Sequence, residues 1–310
     1  MPPVCAVRIK PLHWAALLGL VALWGSSYLA IEIALRAWRP AEIAGLRIAA
    51  AAIVLLTAAV VGRRRFPLTV RAWGGYLAVA VIGNCIPFFL ISWGQQGLES
   101  GLTGILAAST PLFTLVLAHW VLDDERMRTG QAVACVIGFI GVVVLLGTDS
   151  LAAMGGSGTR LLSQLAVLGG ALCYAAATVG ARFMPLAHPV VTAAAVMGLA
   201  AVVMAPASLS GAVLLSVASP VELLAIGFLG LFGTGLASIW YFYLIAETGA
   251  RFTSLLNYLV PVWAVGLGRI VLGESIPLAA WLALALILTG LFLMRHSAPP
   301  ARQAPPQERS

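Results

Sequence analysis

The sequence predicts an all-α integral membrane protein, with ten transmembrane helices in two inverted five-helix repeats. Three observations carry this reading. Hydrophobic residues make up 61% of the 310 residues and charged ones 9%, whereas a soluble domain carries about a quarter charged residues. Mean hydropathy is +1.00. Ten apolar stretches, each near the roughly 20 residues needed to cross hydrocarbon, fill almost the whole length. Finally, the second five stretches echo the first. Residues 102–141 (LTGILAASTPLFTLVLAHWVLDDERMRTGQAVACVIGFIG) align with residues 252–290 (FTSLLNYLVPVWAVGLGRIVLGESIPLAAWLALALILTG). Pro111 matches Pro261, Glu125 matches Glu274 and Gly141 matches Gly290, with one residue dropped between the first two pairs. An odd number of crossings per repeat turns the second copy over, the plan of secondary transporters.

The first repeat takes residues 1–148. Its first span, 12–32, follows directly on a short basic start, with no small-residue cleavage site well placed behind it, and is expected to be retained. Trp24, Ser26, Ser27 and Tyr28 place rings and hydroxyls midway along it. The second span, 41–61, carries Arg47, the most costly side chain in the chain, which must snorkel, pair or face a wet cavity. Glu42 and Glu32 are candidate partners, so a paired structural role and direct substrate contact are both open. The third span, 72–93, is interrupted by Asn84 and Pro87. A proline leaves a carbonyl without its donor, free to bend the helix or meet a ligand. Trp93, Gln95 and Gln96 follow near its outer end. The fourth span, 99–121, sets Ser109 and Thr110 before Pro111 and ends near His119, a weak relay candidate. The fifth is 130–148.

A joint at residues 149–161, with Gly155, Gly156 and Gly158, leads to the second repeat at 162–296. Its spans are 162–182, 189–206, 220–245, 252–272 and 278–295. The first bears Tyr174. The second is short, alanine-rich and ends at Pro206. Trp240, Tyr241 and Tyr243 cluster near the inner end of the third, either as an interfacial belt or as an aromatic wall for a ligand. The fourth offers Asn257 and Tyr258 before Pro261. Pro111 and Pro261 occupy matching places and could serve as bending elements for alternating access or as packing kinks. Glu125 and Glu274 each lie just before a following helix, whose unpaired N–H groups a carboxylate can cap, and Glu222 opens the 220–245 span in the same way. The tail, 297–310, is proline-rich and expected to be disordered. Trp38, Trp73, Trp120 and Trp281 read as interfacial anchors.

Basic residues set the orientation. Arg63, Arg64, Arg65, Arg71, Arg126, Arg128, Arg182, Arg251 and Arg295 fall on the side of the N-terminus, against Arg36, Arg39, Arg160 and Arg269 on the other. The positive-inside rule therefore places both termini in the cytoplasm. The net charge of +7 is a matter of topology, and no nucleic-acid partner is expected. Cys5, Cys85, Cys135 and Cys173 share no metal-ligand spacing, so neither metal nor disulfide is assigned. Paired acids and a nucleotide loop are likewise missing, which sets an enzyme aside and implies no cofactor. Lys10 is the sole lysine, and phosphate-bearing substrates usually need several cationic donors. The cargo expected is a small neutral, zwitterionic or amphipathic solute.

These features converge on a resemblance. The stretch ALLGLVALWGSSYLAIEIAL resembles the opening helix of EamA-type members of the drug/metabolite transporter superfamily. Glu42–Ala52, EIAGLRIAAAA, is similar to the arginine-bearing second helix of that group. The runs from Pro111 through Glu125 to Gly141, and from Pro261 through Glu274 to Gly290, match it as well. The resemblance covers residues 12 to about 295. It implies ten helices, inside termini, and alternating access around a central cavity in a bacterial cytoplasmic membrane. Family members export amino acids, drugs and other metabolites, and some import or exchange small molecules. Export of amino acids, aromatic or hydrophobic ones included, is the leading expectation, with drug-like efflux or a non-transporting scaffold as alternatives and a monomer as the working form. The second repeat departs from the first: residues 162–206 lack a counterpart to Trp24-Gly25 and to Arg47.

Overall fold

The computed structural model describes residues 9–67, 69–152, 159–184 and 188–297. The inter-repeat glycines, Cys5 and the tail from residue 298 lie outside them. Among the described residues all regular structure is helical: α1 (Pro11–Ala34), α2 (Pro40–Val61), α3 (Val70–Gly94), α4 (Ser100–Val121), α5 (Thr129–Ala152), α6 (Thr159–Phe183), α7 (Pro189–Val203), α8 (Ala205–Ser216), α9 (Pro220–Gly249), α10 (Leu256–Val271) and α11 (Leu278–Ser297). Eight are long and apolar enough to cross a membrane, or nine when α7 and α8 count as one span bent by 69°. The chain is thus an all-α, multi-pass membrane protein. Prolines open α1, α2, α7 and α9 at their first positions, where the missing N–H costs nothing.

Two expected spans come out differently. The stretch 189–206 is not one helix ending at Pro206. It breaks at Met204, and the chain continues as α8, because Pro206 fits the first turn of a new helix but not the interior of an old one. The stretch 252–272 shortens to the 16 residues of α10. Gly249, the last residue of α9, turns the chain sharply at φ 76°, a conformation that a Cβ would strain.

Small residues set the helix spacing. α5 and α11 pack along their length, and the two glycines matched between the repeats both face this seam. A Cβ on Gly141 would sit 2.8 Å from the Ala283 carbonyl oxygen, and one on Gly290 would sit 2.7 Å from the Ala134 carbonyl oxygen and 2.9 Å from Gly138 Cα. Backbone meets backbone here, as dispersion-driven packing in lipid requires. Elsewhere α1 packs on α10 and α9, and α6 packs on α4 and α3. α2 lies against α7, α8 and α9, and α3 also meets α7.

The acids at helix ends act across the fold. Glu222 closes a capping box at the start of α9: Ser219 N donates to its Oε2 at 2.8 Å. Glu274 does not cap the helix that follows it. Its carboxylate accepts from Ser100 N (2.7 Å) and Gly101 N (3.0 Å) and so caps α4. Glu125, also expected to cap its own next helix, instead ion-pairs with Arg182 at the end of α6, which reaches Asp124 at 3.3 Å as well. In both cases the short connection brings the carboxylate nearer to a neighbouring element than to the next helix. Trp38 is not an interfacial anchor but 2% exposed, its indole N–H donating to the Gly211 carbonyl at 2.9 Å.

Candidate functional site

A cavity of about 390 Å³ opens where α1, α2, α3, α4, α6, α7, α9 and α10 converge, halfway along most of these helices. Its size lies within the range of small-molecule sites. α1 contributes Trp24, Ser27, Tyr28 and Ile31. α3 contributes Asn84, Phe88 and Ile91; α4, the stretch around Thr110 and Pro111; α10, Leu256, Asn257, Val260 and Pro261. Tyr174, Met197, Thr234, Ser238 and Arg47 complete the wall.

The helices are irregular where they line this space. α3 is α-helical to Ala80, widens to a π-segment over Val81–Cys85 and returns to α at Ile86. α9 does the same over Phe228–Leu236. Asn84 and Thr234 sit in these segments, equally far from the first residues of their helices, Val70 and Pro220. Each side chain donates to a carbonyl five residues back: Asn84 Nδ2 to Val79 O at 3.2 Å, and Thr234 Oγ1 to Leu229 O at 2.8 Å. A polar side chain can thus line an apolar bore while stabilising a widened turn, a feature common at functional sites. α4 breaks at Ala108 and Ser109. Pro111 cannot donate to the Ala107 carbonyl, and Thr110 Oγ1 does so instead at 2.8 Å. Pro261 lies inside α10, so the two matched prolines play unlike local roles.

Arg47 is paired with neither Glu42 nor Glu32. Glu42 accepts from Arg39 N at 2.8 Å, and Glu32 faces Gln95 Nε2 at 3.3 Å. Arg47, 8% exposed, donates from Nε to Thr234 Oγ1 at 2.6 Å and lays its guanidinium 4.0 Å from the centroid of the Phe88 ring. Tyr174 meets the same ring at its edge, 6.3 Å between centroids. Position explains the difference from the expectation: Glu42 and Glu32 lie at helix ends, while Arg47 is two turns inside α2.

Of the residues singled out from sequence, Trp24, Ser27, Tyr28, Asn84, Thr110, Tyr174, Asn257, Pro111, Pro261 and Arg47 line the cavity. Others do not. Trp93 and Trp240 are each 37% exposed on the outer surface, and the Trp240 ring covers Gly19 of α1. Tyr241 stands behind Trp24, 5.4 Å between ring centroids. Ser109 is fully buried and donates to the Leu106 carbonyl at 2.6 Å. Tyr258 packs against a core cluster built mainly from α4, α5 and α11, and Pro87 is the second residue of the helical stretch after the π-segment and does not reach the cavity. His119 is a structural ring whose Nδ1 accepts from Met127 N at 3.0 Å. Phe88, Met197 and Thr234 escaped sequence reasoning. An apolar side chain in an apolar helix carries no signal, and the only cue for Thr234 was its setting in the glycine-rich string Phe228–Leu236.

Comparison with known proteins decides the family. The EamA-like transporter family matches residues 13–147 and, a second time, residues 161–295. The chain belongs to the EamA-like transporter family. It is 30% identical over 291 residues to the uncharacterized inner membrane transporter YedA of Escherichia coli (strain K12), with 93% of this chain and 91% of that one aligned. An uncharacterized transporter of Archaeoglobus fulgidus is 26% identical across 91% of this chain and 98% of its own length. A solved protein structure superposes with a TM-score of 0.59 at 21% identity, covering 92% of this chain and 98% of that one, and shows the shared fold. As an EamA-like transporter the chain moves small molecules across a membrane and is not an enzyme. Among the described residues no cluster of His, Cys, Asp or Glu could hold a metal ion.

Proposed function

We propose that this EamA-like transporter exports small metabolites, amino acids first among them and aromatic or hydrophobic ones included, across the bacterial inner membrane by alternating access. In this reading ten spans form two inverted halves, with the bent α7–α8 pair as the seventh and α10 as the ninth, both termini are cytoplasmic, and the monomer is the working unit. One observation carries it: the cavity is walled by helices of both halves and mixes rings, amides and hydroxyls around a single cation. The packing is consistent with the two halves exchanging roles, since α1 meets α10 as α6 meets α4, and α9 meets α1 as α3 meets α6. The two π-segments, in the third span of each half, give each half a deformable point beside the cavity. The names of relatives such as the inner membrane transporter YedA suit the location proposed.

Efflux of drug-like compounds is a second reading, favoured by the apolar share of the wall, which includes Trp24, Phe88, Ile91, Met197 and Val260. Uptake and efflux of labelled amino acids in liposomes holding the purified protein, with and without a proton gradient, test the proposal. Saturable amino-acid flux upholds it, and its response to the gradient separates proton coupling from exchange or facilitated diffusion. Absence of amino-acid flux, with drug-like compounds carried by the same sample, selects the second reading.

A further inference from the structure

The electrostatic balance of the cavity is unequal. Arg47 brings a full positive charge to a wall to which, among the described residues, no Asp or Glu contributes. Removing a guanidinium from water is costly unless a counter-charge or a full set of acceptors replaces the solvent. Here one neutral hydroxyl, that of Thr234, takes the Nε–H, and one ring face, that of Phe88, takes the plane of the group. These two contacts hold the guanidinium in a set orientation, and no described carboxylate pairs with it. Its Nη donors remain the part of the fork suited to a planar, two-oxygen acceptor, the geometry in which arginine binds carboxylates. Tyr28 and Tyr174 line the same cavity and add phenolic groups to the wall.

We infer that Arg47 is the carboxylate anchor of the cavity, so that the cargo is a small solute with one carboxylate on an apolar or aromatic body. The carboxylate supplies the counter-charge the wall lacks, and the body meets Trp24, Phe88, Ile91 and Val260. Thr234 is a positioning residue that fixes the fork through Nε. Because no described acid lines the wall, an amino group on the cargo gains no ion pair there, and its solvation comes from neutral groups: the amides of Asn84 and Asn257, hydroxyls such as Ser27 and Ser238, and ring faces. The anchor therefore ranks carboxylates above amides and amines, and accepts carboxylates with or without an α-amino group. This inference rests on the cavity being the transport site.

The test uses the purified full-length protein and two matched pairs, L-phenylalanine with L-phenylalaninamide and 3-phenylpropionate with 3-phenylpropionamide, extended to branched and straight-chain acids with their amides. Binding is read by ligand-induced thermal shift and by tryptophan fluorescence. Loss of a charge-assisted hydrogen-bond pair should weaken binding by about tenfold or more, so each acid that binds should bind at least that much tighter than its amide. Arg47→Gln should abolish the preference, and Arg47→Lys should retain part of it. If the Gln variant fails to fold, the acid–amide ratio of the wild-type protein still decides. Acid preference in the phenylpropionate pair with every amino acid of the panel ignored upholds the carboxylate anchor, overturns its acceptance of an α-amino group and counts against amino-acid export. Equal affinity for acid and amide overturns the anchor while leaving amino-acid transport standing, and failure of every acid in the panel to bind overturns it too.

Discussion

Gly290→Ala should destabilise the protein through the α5–α11 seam alone. The added methyl would lie 2.7 Å from the Ala134 carbonyl oxygen, 2.8 Å from Gly138 N and 2.9 Å from Gly138 Cα. All three are backbone atoms, so no side chain can swing away, and the helices must separate by several tenths of an ångström to restore ordinary contact. Overpacking of this kind costs about 1–3 kcal/mol. Alanine is also the better helix former, by up to about 1 kcal/mol, which would mask part of the loss. Gly147→Ala corrects for this, because Gly147 lies on the same helix as Gly138 with nothing within 4 Å of its would-be Cβ. The two substitutions share the propensity gain, so their difference isolates the contact, and it should be about 1–3 kcal/mol. The assay is reversible unfolding in mixed micelles, followed by circular dichroism against denaturing detergent. Equal midpoints for the two variants would refute the claim that backbone contact at the matched glycines holds this seam.

Glu274→Gln should lower stability by about 1–3 kcal/mol, since a neutral amide replaces the charged acceptor of two α4 N–H groups, and the same unfolding assay measures it. Thr234→Val leaves the buried Nε–H of Arg47 without its acceptor and should cost about 1–3 kcal/mol; an unchanged midpoint would argue that the hydrogen bond at 2.6 Å is dispensable. Arg182→Gln breaks a pair whose side chains are about half exposed, so its effect should stay below about 1 kcal/mol and shrink as salt is raised. In liposome flux, Asn84→Leu should reduce transport with membrane insertion preserved. Trp240→Phe should leave transport unchanged, and a transport loss in Trp240→Phe would contradict its place outside the cavity.

Much of this architecture was legible in the order of residues, because the bilayer imposes a one-dimensional rule. A segment that crosses hydrocarbon must satisfy its own backbone, so length and apolarity alone mark helices such as α1, α2 and α11. The matched glycines, Gly141 and Gly290, were visible as a repeat, and close packing gives that repeat its cause. About half of the cavity could also be named, since Trp24, Tyr28 and Asn84 stand out as polar or aromatic positions well inside apolar spans, and Asn257 as an amide near the start of one. Tertiary structure alone decided what these residues meet. Sequence neighbours suggested Glu42 and Glu32 for Arg47 and the next helix for Glu274, but the helical rise carries neighbours apart while packing brings Thr234, Phe88 and the start of α4 within reach. The π-segments were hidden as well, because one extra residue in a turn leaves no mark on composition. Which face of an apolar helix lines a cavity and which meets lipid is likewise set by the partners packed around it, since both environments accept the same side chains.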